Sequence, residues 1–205
     1  MKGIFITLEG PDGCGKTTIA QMLYDRLISN YEVVRTREPG GTKISEKIRE
    51  LILSNDNIEM TSRTEALLYA AARAQHVEEK IIPSIEKGNI VLCERFVISS
   101  LVYQGIGRSL GVEEVRKINE FATGGLKPDI VFLFDVKNFD SNNRKLKLGG
   151  DRLENSGNKF HQTIREAYSK LQNSEDCYVI DATKDINEVF NTCFSILDKK
   201  LREEL

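Results

Sequence analysis

The segment Gly10-Pro11-Asp12-Gly13-Cys14-Gly15-Lys16-Thr17 constrains this chain more than any other, because it reads G-x-x-x-x-G-K-T between two stretches of opposite periodicity. Before it, Ile4, Ile6 and Leu8, with Phe5 and Thr7 between them, form a short β-favouring apolar run, as in a strand buried on both faces of a parallel sheet. After it, Thr18 to Leu27 continue with helical spacing. Strand, glycine loop and helix in that order predict a phosphate site. The glycines let successive N–H groups point inward, and the helix N-terminus adds its partial positive charge at the same spot. Lys16 is then placed to reach β- and γ-phosphates, and the Thr17 hydroxyl to ligate Mg²⁺. A plain turn would account for Gly10, Gly13 and Gly15 but not for the Lys-Thr pair. A nucleoside triphosphate is the expected ligand.

At 205 residues the chain fits one α/β domain, residues 1–205, with room for a lid. Its formal net charge of −2 argues against a nucleic-acid binder that relies on bulk positive charge. Cys14, Cys93, Cys177 and Cys193 form no C-x-x-C pair, so reduced, mostly buried thiols in a cytoplasmic protein are expected. The first residues read as a core strand rather than a signal peptide, and no apolar run reaches membrane-spanning length.

Along the chain, Val33 and Val34 predict a second strand, followed by the loop Arg37-Glu38-Pro39-Gly40-Gly41-Thr42 at its carboxyl end, where open parallel sheets place ligands. A helix through Ile44, Ile48, Leu51 and Ile52 carries Arg49, and a long helical pattern covers 62–86. Within it Tyr69 and Arg73 are four apart, on one face, a flat ring and a planar cation able to hold a base; a plain surface pair is the competing reading. A third strand over 89–93 runs into Glu94-Arg95-Phe96, with Glu94 where phosphate-loop proteins hold Mg²⁺ and Arg95 beside it. Ser99, Ser100, Tyr103 and Gln104 follow as polar groups able to read a base or sugar. Helix over 112–122 and strand over 129–135 come next. The glycine-bearing basic stretch 138–158, with Arg144, Lys145, Lys147 and Arg152, reads as a flexible lid. A helix over 159–171, a strand over 177–180 and a helix over 186–201 close the fold, with Asp181 to Lys184 near the nucleotide base. His76 and His161 read as ordinary helix residues.

The phosphate loop EGPDGCGKTT, the loop REPGG, the helix segment LLYAAAR, the strand end ERF followed by SSLVYQG, and the late DRLE with its FH helix resemble bacterial thymidylate kinase, a family of P-loop nucleoside monophosphate kinases. The resemblance runs from Phe5 to the last helix, with the motifs in order. It implies a three-layer α/β P-loop kinase fold, with a five-stranded parallel sheet flanked by helices and a flexible lid. It also implies a cytoplasmic homodimer and transfer of the γ-phosphoryl of ATP to dTMP, with Mg²⁺, giving dTDP and ADP.

The resemblance further implies site residues. Gly10, Gly13, Cys14, Gly15, Lys16, Thr17 and Thr18 fall where the family cradles ATP phosphates, and Asp12 where a carboxylate accepts the 3′-hydroxyl of the acceptor. Arg37, Arg49 and Arg95 match positions facing the acceptor phosphate; Tyr69 matches the ring stacked on thymine and Arg73 the arginine bonding O4. Ser100 and Gln104 fall at the base edge, and Tyr103 where a ring crowds the 2′ position. Tyr69 stands where Phe is commoner, and Glu94 where Asp is usual. Gly13 occupies the place where one branch of the family carries an arginine, so the catalytic cation is expected from the lid, as Arg144 or Arg152.

Other readings stay open at this point. A GTPase-type switch shares the loop, although no N-K-x-D signature follows a strand; a catalytically silent nucleotide-binding regulator and a kinase for dUMP or CMP are the others.

Overall fold

Every residue of the first strand, β1 (Ile4–Glu9), is buried, and its alternation of side chains sets up the two layers around it. The computed structural model describes residues 3–136, 150–170 and 177–204. Ile4, Ile6 and Leu8 point to one face of the sheet, where they meet Ile19, Leu23 and Leu27 of α1 (Lys16–Leu27). Phe5 points to the other and joins Val77, Ile81 and Val91. Full burial of each such side chain contributes about 1.5–3 kcal/mol, so a strand apolar on both faces belongs in the middle of a sheet.

It lies there. The strands β2 (Val33–Arg37), β3 (Ile90–Glu94), β4 (Ile130–Asp135) and β5 (Cys177–Asp181) pair in parallel in the order β2-β3-β1-β4-β5. The chain leaves β1 toward the β2 side and returns on the β4 side, so the strand order reverses at β1. The crevice at its carboxyl end is where such sheets bind ligands. Asp129 anchors this centre from below, accepting from the Phe5 N–H at 2.7 Å.

α2 (Lys43–Leu53) starts at the cap residue Thr42, whose hydroxyl accepts from the Ser45 N–H at 3.3 Å. α3 (Ser62–His76) is followed by a π-helical turn, Val77–Ile81, and the short α4 (Ile82–Glu86). One continuous helix over 62–86 was the expectation. Pro83 explains the difference, because proline has no N–H to donate to the preceding turn and its ring crowds that turn. The stretch after β3 likewise begins as α5 (Val97–Ser100) and widens into a π-helical segment, Leu101–Gly107. α6 (Val112–Thr123) and α7 (Asn158–Lys170) cover the same face as α3, and α8 (Ile186–Glu204) packs against α1 on the opposite face.

None of the four cysteines forms a disulfide, and Cys14, Cys93 and Cys193 are buried. Among the described residues no helix is long and apolar enough to cross a membrane. Of the expected lid, 150–158 is described; Arg144, Lys145 and Lys147 lie outside the described residues.

Candidate active site

A cavity of about 430 Å³ opens at the carboxyl ends of β1, β2 and β3. Gly13, Gly15, Lys16, Thr17 and Thr18 line one end, and Tyr69, Arg73, Ser100 and Gln104 are also in its wall. Arg37, Arg49, Arg95, Asp12, Tyr103 and Glu94 line it too. Most residues singled out in the sequence therefore share one space.

Gly15 sits at φ 94° immediately before α1, a left-handed conformation open to glycine at little cost, and this turns the chain from loop into helix. Lys16 begins that helix and is buried. Its ammonium donates to the Gly10 carbonyl at 2.9 Å and the Pro11 carbonyl at 2.6 Å, so the loop's own backbone holds it. Burial, with Arg95 nearby, lowers the Lys16 pKa. Cys14 and Gly10 back the loop from behind: Cys14 Sγ is 3.5 Å from Lys16 Nζ. Thr17 donates its hydroxyl to Glu94 Oε2 at 2.5 Å, while Arg35 donates to Glu94 Oε1 at 3.0 Å. The carboxylate ending β3 is thus oriented between the loop threonine and a cation of the neighbouring strand.

Arg95 follows that carboxylate with φ 66°, a left-handed conformation rare for a side-chain-bearing residue. Its guanidinium donates to Asp12 at 2.6 Å, to the Gly10 carbonyl at 3.1 Å, to Ser99 at 3.1 Å and to Tyr168 at 3.0 Å. Tyr103 donates to the second Asp12 oxygen at 2.9 Å. Partial desolvation opposes ionisation of Asp12, whose side chain remains more than half exposed, but Arg95 and Lys16 outweigh it and hold the carboxyl down at about 2. Behind them Glu9 accepts from the Phe96 N–H at 2.8 Å and from Ser99 at 2.5 Å. The end of β1 thereby fixes the turn that carries Arg95.

At the other end, Arg73 is one of the largest fully buried side chains, 2% exposed. Its guanidinium donates through Nε to Glu38 at 2.6 Å, through Nη1 to Ser100 at 2.9 Å and to Asn119, and through Nη2 to the Phe96 carbonyl at 2.9 Å. These four bonds leave one of five N–H groups, on Nη2, for a ligand. Tyr69, one turn earlier on α3, lines the same wall. Gln104 donates its amide to Glu65 at 3.0 Å, leaving the amide oxygen as an acceptor beside the cavity. This is more than a surface Tyr–Arg pair: the cation is desolvated and aimed.

The remaining cations line the same cavity. Arg49 donates to the Pro39 carbonyl at 2.8 Å, and Arg37 makes a two-pronged pair with Glu46 at 2.9 and 3.0 Å. Arg152 behaves differently from the expectation of a phosphate-facing lid residue. It donates to Glu65 at 2.7 Å and to the Ile52 carbonyl at 2.9 Å, while its neighbours Asp151, Leu153 and Glu154 line the cavity. Buried Glu65, already taking Arg108 at 3.1 Å, draws the Arg152 charge away from the loop.

A model of the family described as thymidylate kinase matches residues 8–193. The chain is 55% identical over 200 residues to a thymidylate kinase of Finegoldia magna, covering 96% of this chain and 98% of that one. It is 47% identical to a thymidylate kinase of Ligilactobacillus salivarius, covering 97% and 99%. It also superposes on the crystal structure of thymidylate kinase from Ehrlichia chaffeensis with a TM-score of 0.78 at 31% identity, covering 97% of this chain and 99% of that one. The chain belongs to the thymidylate kinase family.

In this family member several wall-building residues carry no signal in a single sequence. Glu38 lies within the REPGG loop, yet its role becomes visible only when Arg73 arrives from α3. Asn119 and Tyr168 come from α6 and α7, far away in the chain. His76, expected as an ordinary helix residue, is fully buried between Thr36 and Glu38. Asp181, expected near a nucleotide base, accepts from the Thr183 N–H at 3.0 Å within its own turn.

Proposed function

We propose that this chain is a thymidylate kinase that transfers the γ-phosphoryl of ATP to dTMP, giving ADP and dTDP for dTTP synthesis. One observation carries the reading: the phosphate loop with Lys16, the half-buried Tyr69 and the buried Arg73 share a single cavity, with Arg95 and Asp12 in the same wall. A donor's phosphates at one end and an acceptor base at the other put the acceptor phosphate in the middle.

The roles follow from chemistry. The loop N–H groups from Gly13 to Thr18 and Lys16 hold the triphosphate. Tyr69 stacks on the base, and the remaining Nη2–H of Arg73 donates to the carbonyl at position 4. That donor suits thymine or uracil and opposes cytosine, whose amino group at position 4 would meet a second donor. Ser100 and Gln104 meet the base edge, and Asp12 accepts the 3′-hydroxyl. Tyr103, whose hydroxyl binds Asp12, crowds the 2′ position. Arg37, Arg49 and Arg95 neutralise the acceptor phosphate. An oxygen of that phosphate attacks the γ-phosphorus as the bond to ADP breaks, and Lys16, Arg95 and a lid arginine share the transition-state charge. The nucleophile is already an anion, so a strong general base is unnecessary.

Thr17 and Glu94 fit Mg²⁺: both are hard oxygen donors, held together at 2.5 Å. When bound, the ion neutralises charge on the β- and γ-phosphates. Residues 1–205 then work as one kinase domain, with 138–158 as the lid and Arg144 as the lid cation, since Arg152 is committed to Glu65.

We place this activity in the cytoplasm, in a homodimer. Leu67 on α3 and Phe121 on α6, 57% and 91% exposed, give two packed helices an apolar outer face that a second copy would cover. Sedimentation of wild type against Phe121→Glu tests this.

The decisive experiment is ADP formation from Mg·ATP with dTMP, dUMP, CMP, AMP and GMP, beside Lys16→Ala. Marked dTMP preference, lost in the variant, is the expected result. Another preferred acceptor moves the function within the fold, and binding without turnover points to a silent regulator.

A further inference from the structure

We propose that His76 is a positioning residue for base recognition: it fixes the Glu38 carboxylate that aims the Arg73 guanidinium into the cavity. The inference rests on the reading of Arg73 as the group that meets the acceptor base.

Four buried side chains form a line from the sheet to the cavity. Thr36 Oγ1 of β2 is 2.8 Å from His76 Nε2, His76 Nδ1 is 3.0 Å from Glu38 Oε1, and Glu38 Oε2 accepts from Arg73 Nε at 2.6 Å. His76 is 0% exposed, Glu38 4% and Thr36 7%. A carboxylate only accepts hydrogen bonds, so the Nδ1 atom of His76 carries the proton that meets it. The far nitrogen is anchored on a strand, which cannot move without disturbing its pairing with β3. An imidazole clamped at both ends holds Glu38 in one rotamer, and Glu38 in turn decides the plane of the guanidinium.

The same clamp reaches the phosphate side. Glu38 precedes Pro39, whose carbonyl holds Arg49. Gly41, at φ 92°, closes over the imidazole so tightly that a Cβ there would stand 2.5 Å from His76 Nε2 and 2.6 Å from Thr36 Oγ1. The loop between β2 and α2 is therefore shaped around this histidine. Glu38, His76 and Cys93 bring their ligand atoms within 4.8 Å of one another, as a metal site would. Both imidazole nitrogens are already bonded, however, and the Arg73 cation occupies one Glu38 oxygen. The arrangement is a hydrogen-bonded relay.

The test separates position from bulk. In His76→Asn the amide nitrogen replaces Nδ1 and can still donate to Glu38; in His76→Gln it replaces Nε2 and cannot. Steady-state kinetics of wild type and both variants are measured with dTMP, dUMP and CMP at saturating ATP, and with ATP at saturating dTMP. We expect His76→Gln to raise KM for dTMP by about tenfold or more, the loss of one directed contact, with kcat and KM for ATP within about twofold. His76→Asn should restore most of the dTMP affinity, and the dTMP preference over CMP should fall in Gln only. Equal behaviour of the two variants, or ATP and dTMP constants moving together, overturns the inference. If His76→Gln does not fold, Thr36→Val, which frees the far nitrogen at nearly constant volume, is read for the same dTMP-selective rise, and its absence overturns the inference. A wild type that does not phosphorylate dTMP overturns the proposed function and this inference with it.

Discussion

Arg95 reaches across 2.6 Å to Asp12 from a backbone held at φ 66°. A left-handed conformation in a side-chain-bearing residue costs about 1–3 kcal/mol and persists only where the surroundings over-determine it. Here Gly10, Ser99, Tyr168 and Asp12 all accept from the guanidinium, and Glu9 holds the following N–H. The strain aims a cation between the phosphate loop and the sugar-side carboxylate. We expect Arg95→Ala to lower kcat by about a thousandfold while circular dichroism stays native. Arg95→Gly should lose as much turnover yet melt higher than Arg95→Ala, since glycine relieves about 1 kcal/mol of backbone strain. Near-normal turnover in either variant would remove Arg95 from the reaction.

The depressed Asp12 carboxyl makes a signed prediction. Its folded value of about 2 lies below the usual 3.8, so its contribution to stability is fully present above pH 4 and disappears as pH falls toward 2. Asp12 is more than half exposed, so the contribution is small. Urea unfolding of wild type and Asp12→Asn across that range should show curves that differ at pH 5 and converge near pH 2. A constant difference would mean that the Arg95 pairing does not survive in solution.

Much of the fold was legible because its determinants are local. The buried alternation in Ile4 to Leu8, the glycine loop and the apolar run from Ile130 to Phe134 each name their element within a few residues. The π-helical turns were not, since Pro83 announces a break without saying how the helix accommodates it. In the site, residues from the phosphate-loop and strand-end motifs line one cavity together with Tyr69 and Arg73. What the pattern could not show were partners brought by tertiary contact. Nothing in the sequence says that Arg152 meets Glu65, 87 positions away, or that Glu38 serves Arg73.

Arg73 is expected to be indispensable to both stability and recognition. Removing it leaves Glu38 buried without that cation, and breaking a buried pair in this way costs about 3–5 kcal/mol. Arg73→Lys retains charge but cannot address Glu38, Ser100, Asn119 and Phe96 from one planar fork. Denaturant melts should therefore rank wild type above Arg73→Lys and Arg73→Lys above Arg73→Ala, and Arg73→Lys should raise KM for dTMP by about tenfold or more. A lysine variant with unchanged KM for dTMP would take the base edge away from Arg73.

Arg152, one of the two arginines expected to supply the lid cation, is committed to Glu65. Glu65 is buried, and burial favours its protonated form, yet Gln104, Arg108 and Arg152 together hold its pKa down. An arginine committed to such a carboxylate stabilises the fold; pulling it into the phosphate site would strip Glu65 of one partner. Arg152 also donates to the Ile52 carbonyl, so the described part of the lid is tied to α3 by charge and to the end of α2 through its backbone. Arg152→Ala should therefore lower the melting temperature and raise KM for both substrates modestly, while Glu65→Gln, which keeps shape but loses charge, should reproduce most of that effect. Double-mutant cycles on melting should give a coupling of about 1–3 kcal/mol for the pair. Arg144→Ala, on the proposed role of that residue, should lower kcat by about a hundredfold or more, as loss of a transition-state cation does. The reverse pattern, with Arg152 carrying kcat and Arg144 carrying stability, would show that the Glu65 pair opens during the reaction and delivers Arg152 to the phosphoryl group.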